Sequence, residues 1–312
     1  MRTIGSRLKA VFAKKIKKSG VNMSIIKQIL DSYATGSSLS LSVHQNIFGE
    51  LPVLVIKHPT CSAAVSLQGA HLLFWQPSTE TTPVIWLSQK ANFKKEMAIR
   101  GGVPICWPWF GKLGDPMHGF ARLVEWQLDS CKEDNNGVDL TLSLTNNQQT
   151  ERFFTKPFQA WLTIHVGQIC EVTLSCQGDF EATSALHTYF GINNIDNVTV
   201  KGLGDSYQDR LPVENKPTIL GQLTFNQEVD RVYTDADEAI TIFDGKRTIK
   251  LTNVNASDVV TWNPWIDKAK AMADFADQEY QSMVCVETCR INKPLKLEAT
   301  QKSVYGFKIE VI

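Results

Sequence analysis

The chain has no net charge: 32 Lys and Arg balance 32 Asp and Glu over 312 residues. That absence argues against a general nucleic-acid binder, whose affinity rests on many cation–phosphate contacts. No apolar run approaches the ~18 residues that read as a membrane span, so no span is expected. Metal or redox cysteine spacing is also missing. There are seven Cys, an odd number, and the closest pairs, Cys170/Cys176 and Cys285/Cys289, fit neither CxxC nor a zinc pattern. Reduced thiols in a cytoplasmic compartment are the simplest reading. A phosphate loop is absent, because Gly111-Lys112 is followed by Leu113 and preceded five residues earlier by Cys106. Gly202-Leu203-Gly204 lacks the third Gly and the helix of a dinucleotide site. With no zinc-hydrolase or nucleophile-elbow motif either, metal catalysis and triad hydrolysis have no direct support.

What is present is globular composition, 43% hydrophobic and 21% charged with eight Trp, which suffices for a sizeable core. The zero balance hides an asymmetry. Residues 1–30 carry eight basic residues and no acid, leaving 24 basic against 32 acidic residues, a net −8, in the remainder. Leu8, Val11, Phe12 and Ile16 share one helical face there, as in a basic amphipathic leader. The short apolar stretch and missing cleavage site exclude a secretory signal. A disordered extension, or an upstream start with Met23 as initiator, are the plainer readings. The expected organisation is therefore a basic extension over 1–38 and one domain over 39–312.

From residue 39 the pattern is β. Val138, Leu140, Leu142 and Leu144 alternate with polar residues, which is the period of a half-buried strand. Leu162, Ile164 and Val166 run into Gly167-Gln168 and then Cys170, Val172, Leu174 and Cys176, a tight-hairpin signal. Thr241–Phe243 and Thr248–Leu251 flank Asp244-Gly245 in the same way. Tyr305, Phe307, Ile309 and Val311 alternate at the end. Helical periodicity is absent beyond the leader. The fold class predicted is all-β, one large antiparallel sandwich. Two stretches break the alternation and are rich in Gly, Pro and Trp: Ile99–Gly111, running on to His118-Gly119-Phe120-Ala121-Arg122, and Val260–Trp265. Function in sandwiches concentrates on such loops.

Six histidines are candidates for acid–base work. His165, in an alternating strand, reads as a rim residue; His44, His58 and His71 have no distinctive context. His187 lies in a strand-like run ending at Gly191 and by spacing alone is no better than His165. His118 sits on a loop with Arg100 and Arg122 near it in sequence, either a cation-lined site or a loop stapled by arginines. Glu287 lies inside an apolar strand, where a carboxylate is costly unless paired or at an opening. Asp230 is similarly placed, although Arg231 can pair with it. Trp107, Trp109, Trp262 and Trp265 offer faces to a ligand or pack the core.

Six ordered segments bring these candidates together: IRGGVPICWPWFG, HGFAR, LHTYF, VDRVY, VVTWNPW and ADFADQEYQSMVCVET, spanning residues 99–288. Together they resemble the hexose-6-phosphate mutarotases (glucose-6-phosphate 1-epimerases), the phosphosugar branch of the aldose 1-epimerase superfamily. The resemblance implies a galactose mutarotase-like supersandwich and no cofactor. It implies His187 as general acid and Glu287 as general base, with Arg100, His118, Arg122 and Asp230 binding substrate. Arg100 and Arg122 fall on positions linked to the phosphate. One departure is Met117, where some relatives place a polar substrate contact. The implied reaction interconverts the α and β anomers of a hexose 6-phosphate, with the glucose derivative as the expected substrate; a cytoplasmic location is expected, and a monomer is favoured with the oligomeric state left open. A neutral hexose as substrate, and a non-catalytic carbohydrate-binding sandwich, are the alternatives; the pairing of His187 with Glu287 speaks against the latter.

Overall fold

A computed structural model describes residues 24–211 and 221–312. Among the described residues the strands form three antiparallel sheets, of five, nine and seven strands. The alternation expected in the central hairpin is observed: Phe158–Gly167 pairs with Cys170–Gly178, with Cys170 opposite Val166. Its inward set, Leu162, Ile164, Val166, Val172 and Leu174, is buried, while Thr163 and Glu171 face out. The Asp244-Gly245 turn joins Ala239–Phe243 to Thr248–Val254, and Ser303–Val311 lies between the two hairpins in the nine-stranded sheet.

The main core joins all three sheets. Leu140, Leu142, Ile164 and Phe307 from the nine-stranded sheet share one apolar cluster with Leu54, Ile56 and Ala63 of the five-stranded sheet and Val284, Val286 and Leu295 of the seven-stranded sheet. Each fully buried Leu, Ile or Val contributes about 1.5–3 kcal/mol relative to an exposed one, so these facing sheets fix each other's position.

The N-terminal boundary differs from the expected one. The amphipathic face of Leu8 to Ile16 lies outside the described residues. Residues 24–38, assigned from sequence to the extension, instead pack on the domain. Ser24 caps the helix Ile25–Ser32 by accepting from the backbone N–H of Lys27. Ile25 and Ile29, one turn apart, are buried against Leu51, Val53 and Val55 of the five-stranded sheet. Ser37–Ser38 then adds a short edge strand to Val43–Phe48. The helix carries an amphipathic signal in Ile25, Ile26, Ile29 and Leu30, all packed on this cluster, but it spans only about two turns and follows directly on the basic stretch.

The seven-stranded sheet carries the site. Its centre is the 15-residue strand Met283–Leu297, paired on one side with Asp258–Asn263 and on the other with Phe180–Leu186 and Tyr189–Gly191. Successive side chains alternate between faces, so Val284 and Val286 point to the core and Cys285, Glu287 and Cys289 to the opposite face. That second face has its own apolar floor, formed by Cys106, Phe110, Ala185, Val232, Val260 and Cys289.

Candidate active site

Strand register brings His187 to Glu287. Leu186 pairs with Thr288, and Tyr189 pairs with Cys285, so the residue between that falls opposite Glu287 is His187. The ladder opens at this point. The backbone N–H of His187 donates to Pro104 O at 3.0 Å rather than across the strand pair, and the side chain turns onto the open face. Directly opposite residues share a face with Cβ atoms about 4.5–5.5 Å apart. Nε2 of His187 accordingly lies 3.3 Å from Oε1 of Glu287.

Both groups are inside the protein: the His187 side chain is 13% exposed and that of Glu287 1%. Oε2 of Glu287 and Nδ1 of His187 are buried without a hydrogen-bond partner. Burial is the largest influence on each. It holds Glu287 well above the ordinary carboxyl value, reinforced by the nearby charge of Asp230 and opposed by Arg210 and Arg122. It holds His187 well below the ordinary imidazole value, reinforced by His118, Arg122 and Arg100. The 3.3 Å contact has ion-pair geometry, yet desolvation favours the neutral carboxyl–imidazole form. Both forms hold the same single proton, so the contact is a proton-sharing pair in either case.

The other predicted residues stand around this pair. His118 sits on the loop after Gly111 with φ of 68°, a left-handed conformation that costs a non-glycine residue energy. Its Nδ1 accepts from the Gly111 N–H at 3.3 Å, leaving the proton on Nε2. Burial and then the charges of Arg122, Arg210 and Arg100 push it down to about 3, so it is a neutral donor. Its ring meets that of His187 edge-on, with centroids 6.0 Å apart. The next residue must be glycine, since a Cβ at Gly119 would stand 2.0 Å from Trp107 O. Arg122 donates from Nη2 to Met117 O at 2.8 Å, and its Nε is buried without a partner. Met117 thus contributes its carbonyl, while its side chain is exposed. Asp230 reaches the site face through register: it pairs with Trp262, which pairs with Cys285, two residues from Glu287. Burial raises its carboxyl, and Arg210 and Lys268 oppose that rise.

Arg100 also stands near the pair, its charge acting on His187 and His118. Its Nη1 donates to the Tyr189 hydroxyl at 3.0 Å, and its Nε lies 3.3 Å from both oxygens of Asp274. Of the four tryptophans, Trp262 faces the pair, with its ring 6.3 Å from that of His187. Trp107 packs among Phe120, Phe154 and Phe158, Trp109 supports the rim by donating to Pro116 O, and Trp265 packs on Tyr280. His165 is away from the site, on the nine-stranded sheet beside Asp139.

Sequence reasoning missed Arg210, Tyr189 and Asp274. Arg210 follows the Tyr207–Asp209 strand, its N–H donates to Asp230 O, and its guanidinium lies over the Phe110 ring. Only the pairing of that short strand with Val229–Tyr233 brings it to the site, and no local pattern encodes such pairing. Tyr189 and Asp274 lay within LHTYF and ADFADQEY, but nothing in their spacing marked them. Among the described residues no group of three or more His, Cys, Asp or Glu side chains is arranged to hold a metal ion. No described helix is long and apolar enough to cross a membrane.

A sequence model of the aldose 1-epimerase family matches residues 52–310. A protein named "Putative glucose-6-phosphate 1-epimerase" from Escherichia coli K12 is 42% identical over 255 residues, covering 80% of this chain and 86% of its own length. A Haemophilus influenzae relative of the same name is 33% identical over 264 residues, covering 83% and 93%. The crystal structure of a "putative mutarotase" from Salmonella typhimurium superposes with a TM-score of 0.84 at 38% identity, covering 88% of this chain and 95% of that one. Structures at 12–15% identity, including a galactose 1-epimerase from Lactobacillus acidophilus with a TM-score of 0.64, share the fold.

Proposed function

This chain belongs to the aldose 1-epimerase family and is an isomerase, and from that premise we propose that it interconverts the α and β anomers of glucose 6-phosphate. The observation that carries the reading is the His187–Glu287 contact of 3.3 Å, two proton-transfer groups with Arg122 close enough for its charge to bias both. Relatives that match it over most of their length carry the name of this reaction.

Anomer exchange requires the hemiacetal ring to open. In the reactive form Glu287 is a carboxylate and His187 an imidazolium. Glu287 takes the proton from the C1 hydroxyl, the C1–ring oxygen bond breaks as C1=O forms, and His187 delivers its proton to the ring oxygen. Rotation about C1–C2 presents the other carbonyl face, and closure returns both protons. Positioned acid–base groups of this kind each give typically 10²–10⁴-fold. The open-chain aldehyde coincides with protonated Glu287 and neutral His187, the form that burial favours. The reactive charged form is one proton shift away across the contact, and Arg122 and Arg210 favour the carboxylate. The two isoprotonic states thus correspond to the two ends of the ring-opening step.

His118, locked as an Nε2–H donor, serves the ring or hydroxyl oxygens. Asp230 accepts from sugar hydroxyls. Arg122 and Arg210 supply the planar donors that match a phosphate. Polarimetry, or proton NMR of freshly dissolved α-glucose 6-phosphate beside α-glucose and α-galactose, tests the reading. Equilibration of the phosphosugar accelerated well beyond that of the neutral sugars is expected. Preference for a neutral hexose would overturn the phosphosugar assignment, and no acceleration of any sugar would overturn the enzyme reading.

A further inference from the structure

A guanidinium is a planar fork, so holding one edge fixes the direction of every other N–H. Arg100 is held at two points. Its Nε lies 3.3 Å from both carboxylate oxygens of Asp274, and its Nη1 donates to the Tyr189 hydroxyl at 3.0 Å. Among the described residues no protein group accepts from Nη2. The side chain keeps 27% of its surface exposed, and its charge reaches the imidazoles of His187 and His118. Arg100 therefore stands beside the acid–base pair with one nitrogen still to be used.

The main chains that carry Arg100 and Asp274 meet at one buried residue. Ser88 donates its N–H to Arg100 O at 3.2 Å, and its hydroxyl lies 2.9 Å from Asp274 O. Glu279 closes the arrangement: its Oε2 is 2.7 Å from the same hydroxyl, and it accepts from the Gln89 and Ala276 N–H groups. Phe275, next to Asp274, is fully buried and packs on Trp86 with centroids 5.3 Å apart. The loop is thus anchored by its backbone and by Phe275. The Asp274 carboxylate has no partner other than Arg100 among the described residues.

We propose that Asp274 is a positioning residue for Arg100, aiming its guanidinium at the phosphate of the substrate. This rests on the hexose 6-phosphate reading, with Arg100 as one of the groups that meet the phosphate. The carboxylate acts on Arg100 in two opposed ways. Its charge offsets the cation, which weakens attraction for an anion. Its geometry removes the rotamer freedom that a long side chain otherwise loses on binding, worth roughly three- to ten-fold in affinity.

Two variants separate these effects. Asp274→Asn keeps an acceptor for Nε and removes the charge, whereas Asp274→Ala removes both. Charge is equal in the two, and only the aim of Arg100 differs. KM for glucose 6-phosphate is expected to be roughly three- to ten-fold higher in Asp274→Ala than in Asp274→Asn. Their kcat values, and their kinetics on free glucose, are expected to agree. The KM difference should vanish in an Arg100→Gln background, because residues that act as one unit are not additive. NMR of the ¹⁵N-labelled Arg100 Nε–H, assigned by its loss in Arg100→Gln, reads the position without turnover. A resolved signal is expected in wild type and Asp274→Asn, and a shifted or exchange-broadened one in Asp274→Ala. Equal KM values in the two Asp274 variants would overturn the proposal, as would an unchanged Nε–H signal in Asp274→Ala or a KM difference that persists without Arg100. If wild type equilibrates neither sugar, or prefers free glucose, the phosphosugar reading falls. The Nε–H signal and titration of both variants with inorganic phosphate then decide whether Asp274 positions Arg100.

Discussion

A carboxyl and an imidazole sharing one buried proton titrate as a pair, so their pH limits belong to the pair rather than to either residue. Turnover needs one proton on the two groups together. The acid limit is entry of a second proton, onto an imidazole that burial holds well below its ordinary value of 6.5. The alkaline limit is loss of the shared proton, from a carboxyl that burial holds well above 4.5. Both shifts widen the working window, so kcat should persist below the pH at which a free imidazole is half protonated and fall only in stronger acid. A kcat profile that drops with a midpoint at an ordinary histidine pKa would contradict this assignment. His187→Asn and Glu287→Gln should each lower kcat by about 10²–10⁴-fold, because each removes one proton-transfer partner. His165→Asn, on the other sheet, should leave turnover near wild type. In the sequence, these two proposed roles rest on the ordered motifs alone. Spacing could not separate His187 from His165, because the difference lies in a ladder that opens opposite Glu287, and register between strands a hundred residues apart leaves no local trace.

At the scale of elements, the site depends on how the Ile99–Gly111 stretch is held against the five-stranded sheet. His71, at the start of the His71–Pro77 strand, is fully buried and its Nε2 hydrogen-bonds Gly101 O at 2.8 Å. Gly102 packs against it with φ of 67°, and a Cβ there would stand 2.3 Å from Leu72 O and 2.5 Å from His71 Nε2. The sequence showed Gly101-Gly102 as a break in the alternation but gave His71 no role, since its partner is a backbone carbonyl thirty residues away. Burial pushes His71 down to about 4, with the nearby charge of Arg122 adding to the effect and the bond to Gly101 opposing it. The unfolded chain, with an ordinary imidazole, binds more protons below pH 6.5 than the folded one. Stability is therefore intact above pH 6.5 and declines as pH falls toward 4, by an order of about 3 kcal/mol at the lower end. His71→Gln, which keeps a donor for Gly101 O without titrating, should remove that component. Urea midpoints of wild type and His71→Gln at pH 7.5 and 4.5 provide the check: the variant should lose less stability between the two pH values. Equal losses would show that His71 does not titrate in the folded protein as its burial requires.

At the scale of the whole molecule, overall charge gives a dianionic substrate no help, since the chain beyond residue 30 is net −8. The sandwich itself was readable from period-two alternation, because strands with one buried face write their burial into every second residue. The cationic lining was readable only in part. Arg122 lay in a recognisable motif, whereas Arg210 reaches the site through a three-residue strand that pairs beside Asp230. The proposed phosphate preference therefore has to come from these local guanidiniums acting against the field of the body. A charge-assisted hydrogen bond contributes about 1.5–3 kcal/mol, roughly ten- to a hundred-fold in binding. Arg122→Ala is expected to raise KM for glucose 6-phosphate within that range, because its Nε is buried and unpartnered and the side chain is already ordered by Met117 O. Arg210→Ala should have the smaller effect, since Arg210 is exposed and its contribution is screened. Raising the salt concentration should accordingly erode the contribution of Arg210 more than that of Arg122. Turnover of free glucose at saturation should change much less in either variant. Steady-state kinetics on both sugars at low and high ionic strength separate the cases. A loss of equal size on glucose and glucose 6-phosphate would mean that these arginines tune the His187–Glu287 pair rather than bind phosphate, and the phosphate preference would then have to be sought elsewhere in the chain.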